Sequence, residues 1–154
     1  MKRVILIPML FCLFMLNVAS MCSSDDNSSS SSQDPTPVIN AATQGTWRVT
    51  SYIDSGTDET NHFTGYNFTF GNGGVLTATN GSNTVTGTWS VVNDNTNDDS
   101  PSNDLDFNIG FTAPANFADL TDDWDIVSYS DTTISLIDIS GGNGGTDTLV
   151  FTKN

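Results

Sequence analysis

Asp104-Leu105-Asp106-Phe107-Asn108-Ile109-Gly110-Phe111 is the stretch that decides the fold. Leu105, Phe107, Ile109 and Phe111 alternate with Asp104, Asp106, Asn108 and Gly110. Successive side chains of a strand point to opposite faces, so this period of two gives one buried face and one wet face. A helix would need apolar residues three and four positions apart, and that spacing is almost absent after Gly45.

The same period extends in both directions. Upstream, residues 84–92 set Val85, Gly87, Trp89 and Val91 on one face, and residues 75–79 precede them across the turn Asn80-Gly81. Asn72-Gly73-Gly74 supplies the positive φ angles of a tight hairpin and joins residues 66–70, with Tyr66, Phe68 and Phe70 on one face. Residues 46–53 form the first strand, with Trp47, Val49 and Ile53 together. Downstream, residues 123–130 turn Trp124 and Ile126 inward. Residues 133–139 change parity between Leu136 and Ile137, which predicts a β-bulge there, and residues 147–153 offer Leu149 and Phe151. Only Ala115 to Leu120, just after Pro114, predicts a helical turn.

Eight short strands with short turns predict an all-β domain over residues 45–154, an eight-stranded up-and-down antiparallel barrel. Closure removes the sheet edges at which chains aggregate. A two-sheet β-sandwich fits the same periodicity and is the alternative. In the barrel, counting strands places Trp47, Trp89 and Lys153 together at the base and Trp124 at the mouth. Truncation of Trp124 should then cost less than truncation of Trp47 or Trp89. The loops 54–64 and 112–122 also fall at the mouth. The rings of Tyr66, Phe68, Phe70 and Phe107 either line a cavity or fill the barrel, and eight strands leave little room for a cavity.

Gly45-Thr46-Trp47 resembles the G-x-W that opens the first strand of the lipocalin family, and residues 54–64 are long where lipocalins carry a lid loop. The tripeptide recurs as Gly87-Thr88-Trp89. Lipocalins stack an arginine on the first-strand tryptophan, and Lys153 stands at that position here. The resemblance implies a small apolar or amphipathic ligand at the mouth, with His62, Phe63, Phe117 and Trp124 as the candidate contacts. The rival is a surface or adhesion domain that binds no small ligand.

The N-terminus gives the address. Lys2 and Arg3 precede an apolar run from Val4 to Val18, followed by Ala19, Ser20, Met21 and Cys22. At 15 residues the run is shorter than the roughly 20 that a membrane-spanning helix needs, so residues 1–21 read as a cleaved signal peptide. The cysteine at the cleavage point resembles the lipidated cysteine of outer-membrane lipoproteins, with Met21 a departure from their usual small residue. Cys22 is thus the expected lipidation site. Asp25-Asp26 resembles the tag that exports some lipoproteins to the cell surface. Residues 23–44 read as a Ser-rich, disordered linker spanning roughly 25 Å root-mean-square. The expected location is the outer membrane or cell surface, with membrane contact only through the lipid.

The other cysteine, Cys12, lies in the signal, so the mature chain has no thiol pair for a disulfide or a metal. All 18 acidic residues follow Cys22, whereas of the four basic residues only Arg48 and Lys153 do. Such a surface repels nucleic acid. His62 is the sole histidine, and no signature surrounds any serine, which argues against a hydrolytic triad. The acidic pairs Asp98-Asp99 and Asp122-Asp123 are adjacent rather than facing across a cleft, as glycoside hydrolysis requires. The chain is read as no enzyme, without cofactor or structural metal, and as a monomer. The loop 93–103 is rich in oxygen ligands but lacks fixed geometry, which predicts calcium affinity no tighter than about millimolar.

Overall fold

The structure is a computed structural model that describes residues 33–93, 105–140 and 145–154. The signal peptide, Cys22, Asp25-Asp26 and the calcium expectation for the loop after Asn93 lie outside the described residues.

Among the described residues, nine strands follow a seven-residue helix. They are α1 (Thr36–Ala42), β1 (Trp47–Asp54), β2 (Thr57–Asp58), β3 (Asn67–Phe70), β4 (Val75–Thr79), β5 (Thr84–Asn93), β6 (Leu105–Gly110), β7 (Asp122–Tyr129), β8 (Thr133–Ile139) and β9 (Thr146–Lys153). A 3-10 turn at Thr60–Phe63 and a short helix α2 at Ala115–Ala118 interrupt the strands. Each strand after β2 pairs antiparallel with the next, and β1 closes the circle by pairing with both β3 and β9. This is a closed, eight-stranded, all-antiparallel barrel, with the two-residue β2 added on the end of β1. Closure through Trp47↔Lys153 and Val49↔Phe151 rules out the sandwich.

The expected strands all form, each with ends within one residue of those read from periodicity. The bulges fall elsewhere. The register of β1 against β9 slips between Val49 and Ser51, so Tyr52 rather than Ile53 turns inward. The parity change expected inside β8 is absent, because β8 pairs with β9 without a break. The slip lies in β7, between Ile126 and Ser128. One extra residue flips every side chain beyond it, and periodicity alone does not say which of two paired strands carries that residue.

The two G-x-W glycines serve different needs. Gly45 has φ 95°, in the left-handed region that suits glycine, as the chain turns from α1 into β1. Gly87 is extended, and a methyl group there would run into the Gly110 carbonyl and the Phe111 ring. The second glycine lets β5 and β6 approach beneath a core ring.

A larger correction concerns the stretch before Gly45. Composition reads it as linker, yet residues 36–42 form α1, with Val38, Ala41 and Ala42 buried. Pro35 and Pro37 set helical φ before the first hydrogen-bonded turn, where a missing N–H has no cost. Asp34 Oδ1 accepts the Thr36 N–H at 2.9 Å, and the Thr36 side chain first, with this N–H second, favours the charged form and holds the Asp34 carboxyl below its usual range. The Trp47 indole N–H donates to the Ala42 carbonyl at 2.8 Å, which ties α1 across the base of the barrel. The folded unit therefore includes α1.

Candidate functional site

The mouth is where sequence placed a ligand, and two segments converge on it. The first is the 3-10 turn. Asp58 Oδ1 accepts the Thr60 N–H, and Thr60 Oγ1 accepts the Tyr52 N–H at 2.8 Å, binding the turn to the end of β1. This draws Phe63 inward until it is 1% exposed. His62, next to it, points to solvent and pairs its Nδ1 with Glu59 at 3.4 Å. The second segment is α2, which begins after Pro114 and buries Phe117. Thr121 clasps the ends of this excursion, accepting from the Phe111 N–H and donating to the Phe111 carbonyl, both at 2.9 Å.

Tyr52 joins the two segments. Its hydroxyl donates to the Asp119 carbonyl at 2.7 Å, and its ring meets Phe63 at 5.7 Å and Trp124 at 6.4 Å. Burial, reinforced by the carboxylate of Asp54, raises the Tyr52 hydroxyl far above its usual range, so it stays a donor. Sequence reading missed Tyr52 because the β1 bulge reversed its face. Trp124 is fully buried and donates its indole N–H to the Leu120 carbonyl at 3.1 Å.

Phe63, Phe117 and Trp124 are thus brought together around Tyr52 as a stopper, while His62 stays outside it. Below the stopper the barrel holds a continuous column of rings. Trp89, Phe70, Phe151, Phe68, Phe117 and Phe63 follow one another with centroids between 5.2 and 6.0 Å apart. Phe107 packs on Phe70 at 5.3 Å. Of the strip read as either lining or filling, Phe68, Phe70 and Phe107 are at most 1% exposed and act as filling.

At the base, Lys153 Nζ lies 5.5 Å from the centre of the Trp47 ring. Trp89 is at the same end, with its backbone N–H on the Gly74 carbonyl and its indole N–H on the Gly71 carbonyl at 2.9 Å. Trp89 makes its ring contacts with Phe70 and Phe107. The expectation that Trp124 matters less than the base tryptophans is corrected by its burial, since Trp124 is 0% exposed and Trp89 is 6% exposed.

One cluster escaped the sequence reading. Asp122, Asp138 and Asp147, from the start of β7, the end of β8 and the start of β9, bring carboxylate oxygens within 4.8 Å of one another at the mouth rim. Asp138 and Asp147 are direct cross-strand partners. Burial first, then a hydrogen bond with the Asp123 side chain and the charge of Asp138, raise the Asp122 carboxyl to about 6. Hydrogen bonds from Ser140 Oγ to Asp138 and from the Ser55 N–H to Asp147 hold the other two. Topology alone assembles these residues, which lie far apart in sequence.

No protein-family model matches the chain, and no curated protein does. Among solved structures, the fold is similar to the crystal structure of a DUF4847 family protein from Bacteroides vulgatus ATCC 8482. The two are 18% identical, the likeness covers 76% of this chain and 97% of that one, and the TM-score is 0.48.

Proposed function

We propose that this chain is a lipid-anchored surface module whose barrel is a solid support and whose work is done on its outside, by contact with other molecules at the loops. The observation that supports this most is the use of the mouth residues. Phe63, Phe117 and Trp124 are at most 1% exposed; Phe63 packs on Phe117, and Tyr52 links Phe63 to Trp124, in the space a ligand would need. Nucleophile, cofactor and nucleic acid have no part in this reading, and the module acts as a monomer.

The lipocalin-like alternative, a small apolar ligand held at the mouth, requires Phe63 and Phe117 to swing out together. That would break the Tyr52–Asp119 and Tyr52–Thr60 hydrogen bonds. Its support is the exposed His62 on the same 3-10 turn.

Native mass spectrometry of the mature protein from its source cell separates the two. The solid module gives the mass of the polypeptide plus its acyl groups at Cys22. A further stoichiometric small molecule would favour the mouth binder. The anchor itself is tested by Cys22→Ser, which should move the protein from membrane to soluble fractions. Wild-type protein that is already soluble and begins near Met21 would remove the anchor.

A further inference from the structure

The exposed apolar side chains are distributed unevenly between the two ends of the barrel. β1 leaves the base at Trp47, so β4 also starts at the base, and β5 and β7 end there. Val75 opens β4, Val92 lies one residue from the end of β5, and Val127 and Tyr129 close β7. These four are exposed by 47, 43, 60 and 44%. Among the described residues, the only other large exposed apolar side chain is Ile139, at the mouth end of β8. A groove of about 360 Å³ opens at the end of β7, where Val127 and Tyr129 line it with Gln33, Val38, Leu105 and Ile126.

The described chain begins at this same end. Gln33 lines the groove, and its carbonyl accepts a hydrogen bond from the Asn93 amide at 2.7 Å. Because α1 is folded onto the base, only the ten residues 23–32, eleven backbone steps from Cys22 to Gln33, separate the lipidation site from the barrel. Fully extended, they reach at most about 40 Å. The two basic residues among those described, Arg48 and Lys153, also sit at the base. The mouth rim carries Asp58, Glu59, Asp119, Asp122, Asp138 and Asp147.

We propose that the base rim is a lipid-docking surface. Val75, Val92, Val127 and Tyr129 rest on the interface of the membrane that holds Cys22, and the acidic mouth faces outward. This rests on the reading of Cys22 as a lipid anchor. Apolar side chains and a tyrosine with its hydroxyl in the headgroups suit an interfacial position. The base rim also carries exposed acids, Asp34 before α1 and Asp131 in the turn after Tyr129, so the lipid that fits is zwitterionic, not anionic.

The test uses the mature chain joined through the Cys22 thiol to a maleimide lipid in phosphatidylcholine nanodiscs doped with spin-labelled lipid. Docking predicts loss of the NMR signals of Val92, Val127 and Tyr129 with those of Thr60, Asn61 and Asp119 retained. In Val127→Asp/Tyr129→Ser, whose positions are solvent-facing, the signals around β7 should return. Equal loss at both ends, or none at either, overturns the docking surface. The anchor reading is examined separately, from the mass of the Cys22 peptide in the source cell. An unmodified cysteine there overturns the anchor while the nanodisc result still decides whether this rim docks.

Discussion

The two ends of the barrel are both closed, by opposite kinds of sequence. At the mouth, closure comes from large rings, Phe63 on the 3-10 turn and Phe117 on α2, gathered around Tyr52 over Trp124. At the base it comes from small residues, Ala41 and Ala42 with Val38, on a helix held by the Trp47 indole. Aromatic residues in loops attract attention as binding residues, whereas an alanine-bearing segment after a serine tract draws none. Either closure serves equally to keep water from the rings between them. Residue type alone therefore does not distinguish a binding mouth from a plugged one; the contacts of the rings do.

The sharpest way to break this comparison is to remove one tryptophan from each end. Trp47→Ala and Trp124→Ala should each cost about 3–5 kcal/mol in urea unfolding, since both side chains are fully buried. A much smaller loss for Trp124 would mean that the mouth is loosely packed. The next effect sharpens the base. Val38 is 1% exposed, so Val38→Ala should cost about 1.5–2.5 kcal/mol, in contrast to the near-zero effect a linker residue would give. Calorimetric melting of the variant against the wild type reads that difference.

Tyr52→Phe probes the mouth at finer grain. It keeps the ring contacts but leaves the Asp119 carbonyl without its 2.7 Å partner, and should cost about 1 kcal/mol. Solvent reaches that carbonyl, because Asp119 itself is exposed, which keeps the loss at the low end.

The smallest expected effect depends on pH. Asp122 has a folded pKa of about 6, raised from the ordinary 3.8, so the fold favours its protonated form. The stabilisation is complete below about pH 4 and is lost as pH rises through 6. At pH 7 the charged carboxylate beside Asp138 is a burden, and Asp122→Asn should stabilise by about 1 kcal/mol once solvent screening is allowed for. Paired denaturation curves should show that gain at pH 7 and its disappearance near pH 4. A gain independent of pH would locate the effect in packing instead of charge.

Much of the wall was readable because alternation is a local property. Leu105, Phe107 and Ile109 declare their face without reference to any other strand, and all three are buried. What escaped depended on neighbours. Simple alternation from Trp47 and Val49 puts Ile53 inward in place of Tyr52, because the extra residue at Thr50 shows only in the pairing with β9. Helix α1 has too few apolar residues to mark a face, and it holds its place through Trp47 and the barrel base. At the mouth, Phe63, Phe117 and Trp124 stand out as residues, while the chain of contacts from Phe117 through Phe63 and Tyr52 to Trp124 exists only in the folded protein. The Asp122, Asp138 and Asp147 cluster depended on the meeting of three strand ends.

The central claim, that both ends are shut, is tested most directly by hydrogen exchange of two indole N–H groups followed by NMR. Trp47 donates to Ala42 at the base and Trp124 to Leu120 at the mouth, and both rings are 0% exposed. The account predicts that both indole protons exchange as slowly as the strand amides at Phe107 and Leu149. Protection of Trp47 together with rapid exchange at Trp124 would mean that the mouth opens readily, and it would contradict the account.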